Sequence, residues 1–293
     1  VIWEVASGFD PEAIIAMQTW SLREAIARTF PQDRLLLLDL GGWNVEKFNS
    51  FWNYPYVAGV LHNYGGRVYM GGNLALYAKN AHELKQSPKG GNIQGIGLFP
   101  EAIEHNPVVY ELSTEITWMQ DAPDLQKWIT DYARARYGKL PAGAEQGWKV
   151  LLETVYGSKA GRLPSTESVM CARPALTIQK VAANGDLSRP YSTVRLWDAV
   201  DHFFQASNDL KKSDTYRYDL VDVMRQCLSD LSLPLQKQIT EAYLAEDNEK
   251  LQQAGEQFLA LIDDFDRLLG TRSTFLLGKW IKEARQWGTT EEE

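Results

Sequence analysis

The sequence predicts an α/β segment over residues 1–122 followed by an all-α segment over residues 123–293. Two observations carry this. Four short apolar runs in the first 120 residues are continuous rather than alternating, as in parallel strands buried on both faces, and helical patterns separate them. From about Pro123 strand-like runs vanish and amphipathic stretches of helical period take over. The boundary falls near Asp121–Pro123, where Asp-Ala-Pro interrupts the pattern.

The elements follow in order. Ala13–Gln18 (AIIAMQ) reads as the first strand, and Ser21–Thr29 as a helical stretch. Leu35–Leu40 (LLLLDL) is the second strand and Tyr56–Leu61 (YVAGVL) the third. Leu74–Gln86 has the periodicity of a helix, and Asn92–Leu98 (NIQGIGL) is the fourth strand. Helical patterns then run over Asp124–Tyr137, Gly147–Val155, Arg195–Ser207, Tyr216–Leu231, Leu233–Ala245, Asn248–Leu269 and Phe275–Gln286.

Composition narrows the function classes. Of 293 residues, 44% are hydrophobic and 23% charged, as in an ordinary globular protein. The formal net charge of −8 and the lack of a basic stripe argue against nucleic-acid and anionic-membrane partners. No apolar run approaches the length of a membrane span. The two cysteines, Cys171 and Cys227, and the four histidines show no zinc-ligand spacing. Ten Trp and thirteen Tyr are many for this length, with a cluster between Trp43 and Tyr69. Such rings build cores, and they also suit stacking on the apolar face of a sugar.

Each predicted strand runs into polar and aromatic residues: Gln18-Thr19-Trp20, Asp39-Leu40-Gly41-Gly42-Trp43, His62-Asn63-Tyr64-Gly65-Gly66 and Phe99-Pro100-Glu101. In β/α architectures the site lies at the carboxyl ends of the strands. Asp39 and His62 fit supporting roles as readily as direct contacts, and Trp20 fits a stacking platform or a core position.

Several motifs together resemble glycoside hydrolase family 89, the alpha-N-acetylglucosaminidases. They are Ala16-Met17-Gln18-Thr19-Trp20, Leu37-Leu38-Asp39-Leu40, Leu61-His62-Asn63-Tyr64-Gly65-Gly66 and, above all, the stretch from Gly97 to Tyr110 (GLFPEAIEHNPVVY). In the helical part, Tyr216–Asp222 (YRYDLVD) and Phe275–Trp280 (FLLGKW) extend the resemblance. It implies the C-terminal half of a TIM-like β/α barrel followed by an α-helical domain, in an internal fragment of a longer enzyme. It implies hydrolysis of terminal alpha-linked N-acetylglucosamine by a retaining mechanism, with Glu101 as nucleophile. The acid/base glutamate of an Asn-Glu pair would lie upstream of Val1, leaving this segment alone inactive. Substrate contacts are expected from Trp20, His62, Asn63, Tyr64 and Asn106. The partner would be an N-acetylglucosamine-terminated glycan, with heparan-type chains one candidate, and no metal or organic cofactor is implied. A lysosomal, periplasmic or secreted location would follow. The chain departs from the family pattern at Ala58-Gly59, at Ala102 and in a shortened loop after Trp20.

Local chemistry is consistent with that role. Retaining hydrolysis needs two carboxyl groups about 5–5.5 Å apart on opposite sides of the sugar. Helical character expected up to Glu115 would put Glu101 near a positive helix N-terminus, favouring the ionised carboxylate. Glu104, one turn on, would face the same side as Glu101 and does not suit the acid. The alternative is a non-catalytic carbohydrate-binding or structural module; an Asn-Glu pair at an upstream strand end would decide for the enzyme.

Overall fold

The computed structural model describes residues 2–62, 69–101, 106–157, 168–181 and 187–290. The chain divides into two compact units, one formed by Val1–Tyr132 and Leu151–Pro164 and the other by Ala133–Val150 and Ser165–Glu293.

In the first unit, strands β1 (Ile15–Gln18), β2 (Leu35–Asp39), β3 (Tyr56–Val60) and β4 (Ile93–Leu98) form one sheet in the order β1-β2-β3-β4. All neighbours are parallel, with Gln18 opposite Leu38, Asp39 opposite Ala58 and Val60 opposite Leu98. Sequential parallel pairing is what βα units produce, so the partial barrel expected from the sequence is present. Burial in β2 alternates rather than covering both faces equally: Leu35 and Leu37 are buried with Tyr56, Phe51, Tyr54, Phe30 and Ala27, while Leu36 and Leu38 on the other face are half-buried. Phe51 and Tyr56 rings meet at 4.7 Å, and the Tyr56 hydroxyl donates to the Gly90 carbonyl at 2.6 Å.

Helix α1 (Ile2–Phe9) precedes the sheet and was not evident in the sequence. The helix expected over Ser21–Thr29 contracts to one turn, α2 (Glu24–Ala27), whose preceding residue Arg23 is extended and offers no side-chain cap. Helix α3 (Leu74–Gln86) matches its expected span, capped by Asn73, whose side chain accepts from the Leu76 N–H. Helix α4 (Pro107–Glu115) has proline in its first turn, where the missing N–H costs nothing. Helix α5 (Leu125–Tyr137) begins in this unit and ends in the second, and α6 (Ala142–Glu153) lies in the second up to Val150 and in the first from Leu151.

The second unit is helical among the described residues: α7 (Thr193–Gln205), α8 (Ser207–Leu210), α9 (Asp214–Leu244), α10 (Asn248–Leu269) and α11 (Leu277–Arg285). Helix α9 packs against α10 and α7. Two helices were expected where α9 stands; instead one 31-residue helix runs through Pro234. The proline removes one backbone bond, and Ser232 lies at this point with its hydroxyl on the Ser229 carbonyl at 2.6 Å. Among the described residues no helix is long and apolar enough to cross a membrane.

An ionic cluster holds the inner face of α9. Asp219 accepts from Arg136 Nε and Nη2 at 2.7 and 2.8 Å and from the Tyr137 hydroxyl at 2.7 Å, and Trp148 Nε1 donates to that hydroxyl. Asp222 pairs with Arg225, one turn on along the same helix face. Asp230 accepts from Arg189 and Tyr191.

Candidate active site at the carboxyl edge of the sheet

Because the four strands are parallel, the residues that end them share one edge. Gln18 ends β1 and Asp39 ends β2; His62 follows β3 by two residues and Glu101 follows β4 by three. Asn63 and Tyr64 lie outside the described residues.

Asp39 is fully buried. One carboxylate oxygen accepts the Asn44 backbone N–H at 2.9 Å. The other accepts Asn44 Nδ2 at 2.9 Å, with the Thr19 hydroxyl donating at 3.5 Å. Asn44 Nδ2 also reaches Thr19 Oγ1 at 3.1 Å. The turn between Asp39 and Asn44 closes through Gly42, which has φ +67° and donates to the Asp39 carbonyl at 2.9 Å. A buried carboxylate thus gathers one residue from the β1 end and one from the loop after β2.

That arrangement positions two tryptophans, since Thr19 precedes Trp20 and Asn44 follows Trp43. Their rings meet at 6.2 Å between centroids and an interplanar angle of 61°. Trp20 is 52% exposed. The Trp43 ring lies on Gly41 so closely that a Cβ there would stand 1.8 Å from it.

His62 is 1% exposed, and its ring is ringed edge-on by Tyr110, Tyr69 and Tyr77 at 5.9, 6.1 and 6.4 Å. Burial, and then the neighbouring Tyr110, push the Tyr77 phenol upward.

Asn106 is fully buried and has left-handed backbone, φ +53° and ψ +47°. Its Oδ1 accepts from the Gly71 N–H and from the Tyr156 hydroxyl, both at 3.0 Å, and its Nδ2 donates to the Tyr69 carbonyl at 2.9 Å. It therefore joins the start of α4 to the loop after β3 and to Tyr156, three residues beyond α6.

Glu101 is exposed, in a bend. The expected helix does not reach it: α4 begins at Pro107, behind a left-handed Asn106 that cannot be interior to a helix. Glu101 is thus not in the first turn of α4, where a helix-terminus field acts. Among the described residues no group of three His, Cys, Asp or Glu side chains converges as metal ligands.

Two family models match the chain. The tim-barrel domain of alpha-N-acetylglucosaminidase (NAGLU) covers residues 1–120, and the C-terminal domain of the same enzyme covers residues 128–293.

The chain belongs to the alpha-N-acetylglucosaminidase family.

The human alpha-N-acetylglucosaminidase is 29% identical over 309 residues, a match spanning 100% of this chain and 40% of that protein. A family 89 glycoside hydrolase from Clostridium perfringens, solved with PUGNAc, superposes with a TM-score of 0.89 at 28% identity, covering 97% of this chain and 32% of the other. The same bacterial enzyme carrying two Glu-to-Gln changes, solved with its substrate GlcNAc-alpha-1,4-galactose, gives a TM-score of 0.88 at 28% identity and the same coverage. The chain thus spans well under half the length of the alpha-N-acetylglucosaminidases it matches.

Trp20, His62 and Glu101 follow strand ends on one edge of the sheet, whereas Asn106 is fully buried. Reading the sequence singled out neither Asn44 and Thr19 as partners of Asp39, nor Tyr156 as a partner of Asn106, nor Trp43 as a site residue. Only Trp43 carried a signal: a tryptophan after Gly-Gly at a strand end, the only aromatic residue between β2 and Phe48.

Proposed function

We propose that this chain supplies the attacking carboxylate and part of the sugar-binding surface of a glycoside hydrolase that removes terminal alpha-linked N-acetylglucosamine. Glu101 is the nucleophile. Its carboxylate attacks the anomeric carbon as the bond to the leaving oxygen breaks, and that oxygen takes a proton from a second glutamate. Water then attacks the glycosyl-enzyme ester, giving its proton to the same glutamate and releasing N-acetylglucosamine with its α configuration retained.

The observation that carries this reading is the position of Glu101 on the carboxyl edge of a parallel β/α sheet, three residues beyond β4, in a member of this family. The two glutamates changed in the substrate-bound bacterial relative lie more than a hundred residues apart in its sequence. A partner at like spacing before Glu101 would precede residue 1, in keeping with an acid/base residue upstream. Trp20 offers an apolar face to the sugar. Asn63 and Tyr64 supply polar contacts by family resemblance. The buried His62 and Asn106 support the loops that carry these groups.

In the complete protein, Glu101→Gln removes the attacking charge and little else. Hydrolysis of an aryl alpha-N-acetylglucosaminide should fall by several orders of magnitude while the circular dichroism spectrum is unchanged. Turnover within a few-fold of the unsubstituted enzyme would remove Glu101 from the role. Proton NMR of the first-formed anomer tests retention; a β product would sink it.

A further inference from the structure

Two indoles at a strand-end edge, tied through their neighbours Thr19 and Asn44 to one buried carboxylate, form a built feature rather than a chance surface contact. Neither ring closes over the other: at 61° and 6.2 Å they make the two walls of a corner, with Trp20 half open to solvent. Gly41 is required there, because any side chain would occupy the volume of the Trp43 ring. A single stacking platform needs only one ring, so the second plane calls for a ligand with a second apolar face.

An α linkage supplies one. It leaves the anomeric carbon axially, so an α linkage to an equatorial hydroxyl inclines the two ring planes steeply, whereas a β linkage to the same hydroxyl keeps them nearly coplanar. Each pyranose presents a patch of C–H groups suited to an indole face. We propose that Trp43 is a substrate-contacting residue, and that Trp20 and Trp43 each stack on one of two successive rings of a GlcNAc-α-linked disaccharide. The corner thereby selects the bend of the linkage as well as the terminal sugar. This rests on the hydrolase reading for its ligand class, but its test reads binding and not turnover.

The test is calorimetric titration of the full chain carrying Glu101→Gln, which prevents turnover, with GlcNAc-α-1,4-glucose, whose acceptor hydroxyl is equatorial, its β-linked isomer and free N-acetylglucosamine. The α disaccharide should bind about five- to tenfold more tightly than either other ligand, with a change in indole fluorescence. Trp20→Ala and Trp43→Ala should each weaken it about five- to tenfold. One of the two should weaken free N-acetylglucosamine as well, and the other should not. Phenylalanine at either position should restore most of the affinity, and the unequal response of the monosaccharide to the two alanine variants is what a merely structural role would not predict. The proposal is overturned if Trp43→Ala leaves disaccharide binding intact, if both alanine variants weaken the monosaccharide equally, or if α and β isomers bind alike. Absence of hydrolysis in the complete enzyme with these binding results intact would count against the function proposed above and not against the corner.

Discussion

Replacing Asn106 by alanine strips three hydrogen bonds from a fully buried position. The Gly71 N–H and Tyr156 O–H lose their shared acceptor, and the Tyr69 carbonyl loses a donor. A buried polar group left without a partner costs about 1–3 kcal/mol, and partial rearrangement should hold the three together to about 3 kcal/mol. A further term comes from the backbone. Alanine at φ +53° is about 1 kcal/mol worse than asparagine, which tolerates this region, whereas glycine carries no such penalty. Asn106→Ala should therefore destabilise by about 4 kcal/mol and Asn106→Gly by about 3 kcal/mol, a large part of a typical 5–15 kcal/mol stability. Urea denaturation measures both. Amide exchange at Gly71 gives the local readout and should accelerate in both variants, because its acceptor is gone. The reasoning fails if alanine costs under about 1 kcal/mol, or if glycine is worse than alanine. In the complete enzyme the same change should lower kcat more than it raises KM, since it loosens the segment after β4 without touching the sugar.

The sheet was legible because its strands are short continuous apolar runs bounded by turn residues, although β1 and β2 prove better buried on one face than on the other. Leu35–Leu40 and Tyr56–Leu61 could be read directly, and the parallel order followed from the intervening helical patterns. Helix ends were harder, because they depend on caps and backbone angles. Ser21–Thr29 has helical periodicity, yet only Glu24–Ala27 forms, and nothing in the pattern marks Asn106 as left-handed. With Asn106 left-handed, α4 starts at Pro107 and Glu101 is not in its first turn. Pro234 failed in the other direction: it reads as a break, but a buried helix face with many partners outweighs one lost backbone bond. In the site, strand-end residues were visible as types, whereas the partners that fix them were not. Asp39 finds Thr19 across a strand pair, and Asn106 finds Tyr156 fifty residues away. Such pairings are tertiary, and a single sequence carries no record of them.

Two further outcomes follow from buried titrating groups. Burial, and then the nearby Asp39, raise the Tyr56 phenol from 10.0 to about 12, and Tyr77, Tyr137, Tyr191, Tyr216 and Tyr218 are raised as well, burial being the leading cause. A raised folded value means stability is intact below pH 10 and lost as pH climbs through the folded values, so unfolding should accompany phenolate absorbance between about pH 10 and 12, and early normal titration of these tyrosines would contradict the packing. The last concerns Arg136, whose guanidinium grips Asp219 through two bonds on the buried face of α9. Arg136→Met keeps most of the side-chain volume and leaves Asp219 without its cation; breaking one side of a buried pair costs about 3–5 kcal/mol. Burial already raises the Asp219 carboxyl, with the Arg136 bonds opposing it, and removing Arg136 lets it rise further. For a carboxyl raised in the folded state, stability is fully present below the unfolded value of about 3.9 and is lost as pH rises through the folded value. The variant's deficit should thus be largest at neutral pH and shrink toward pH 4, where the buried group can take up a proton and stay neutral. Denaturant midpoints at pH 4 and pH 7 decide it. A deficit of the same size at both would mean that Arg136 acts through packing alone and that Asp219 carries no buried charge to compensate.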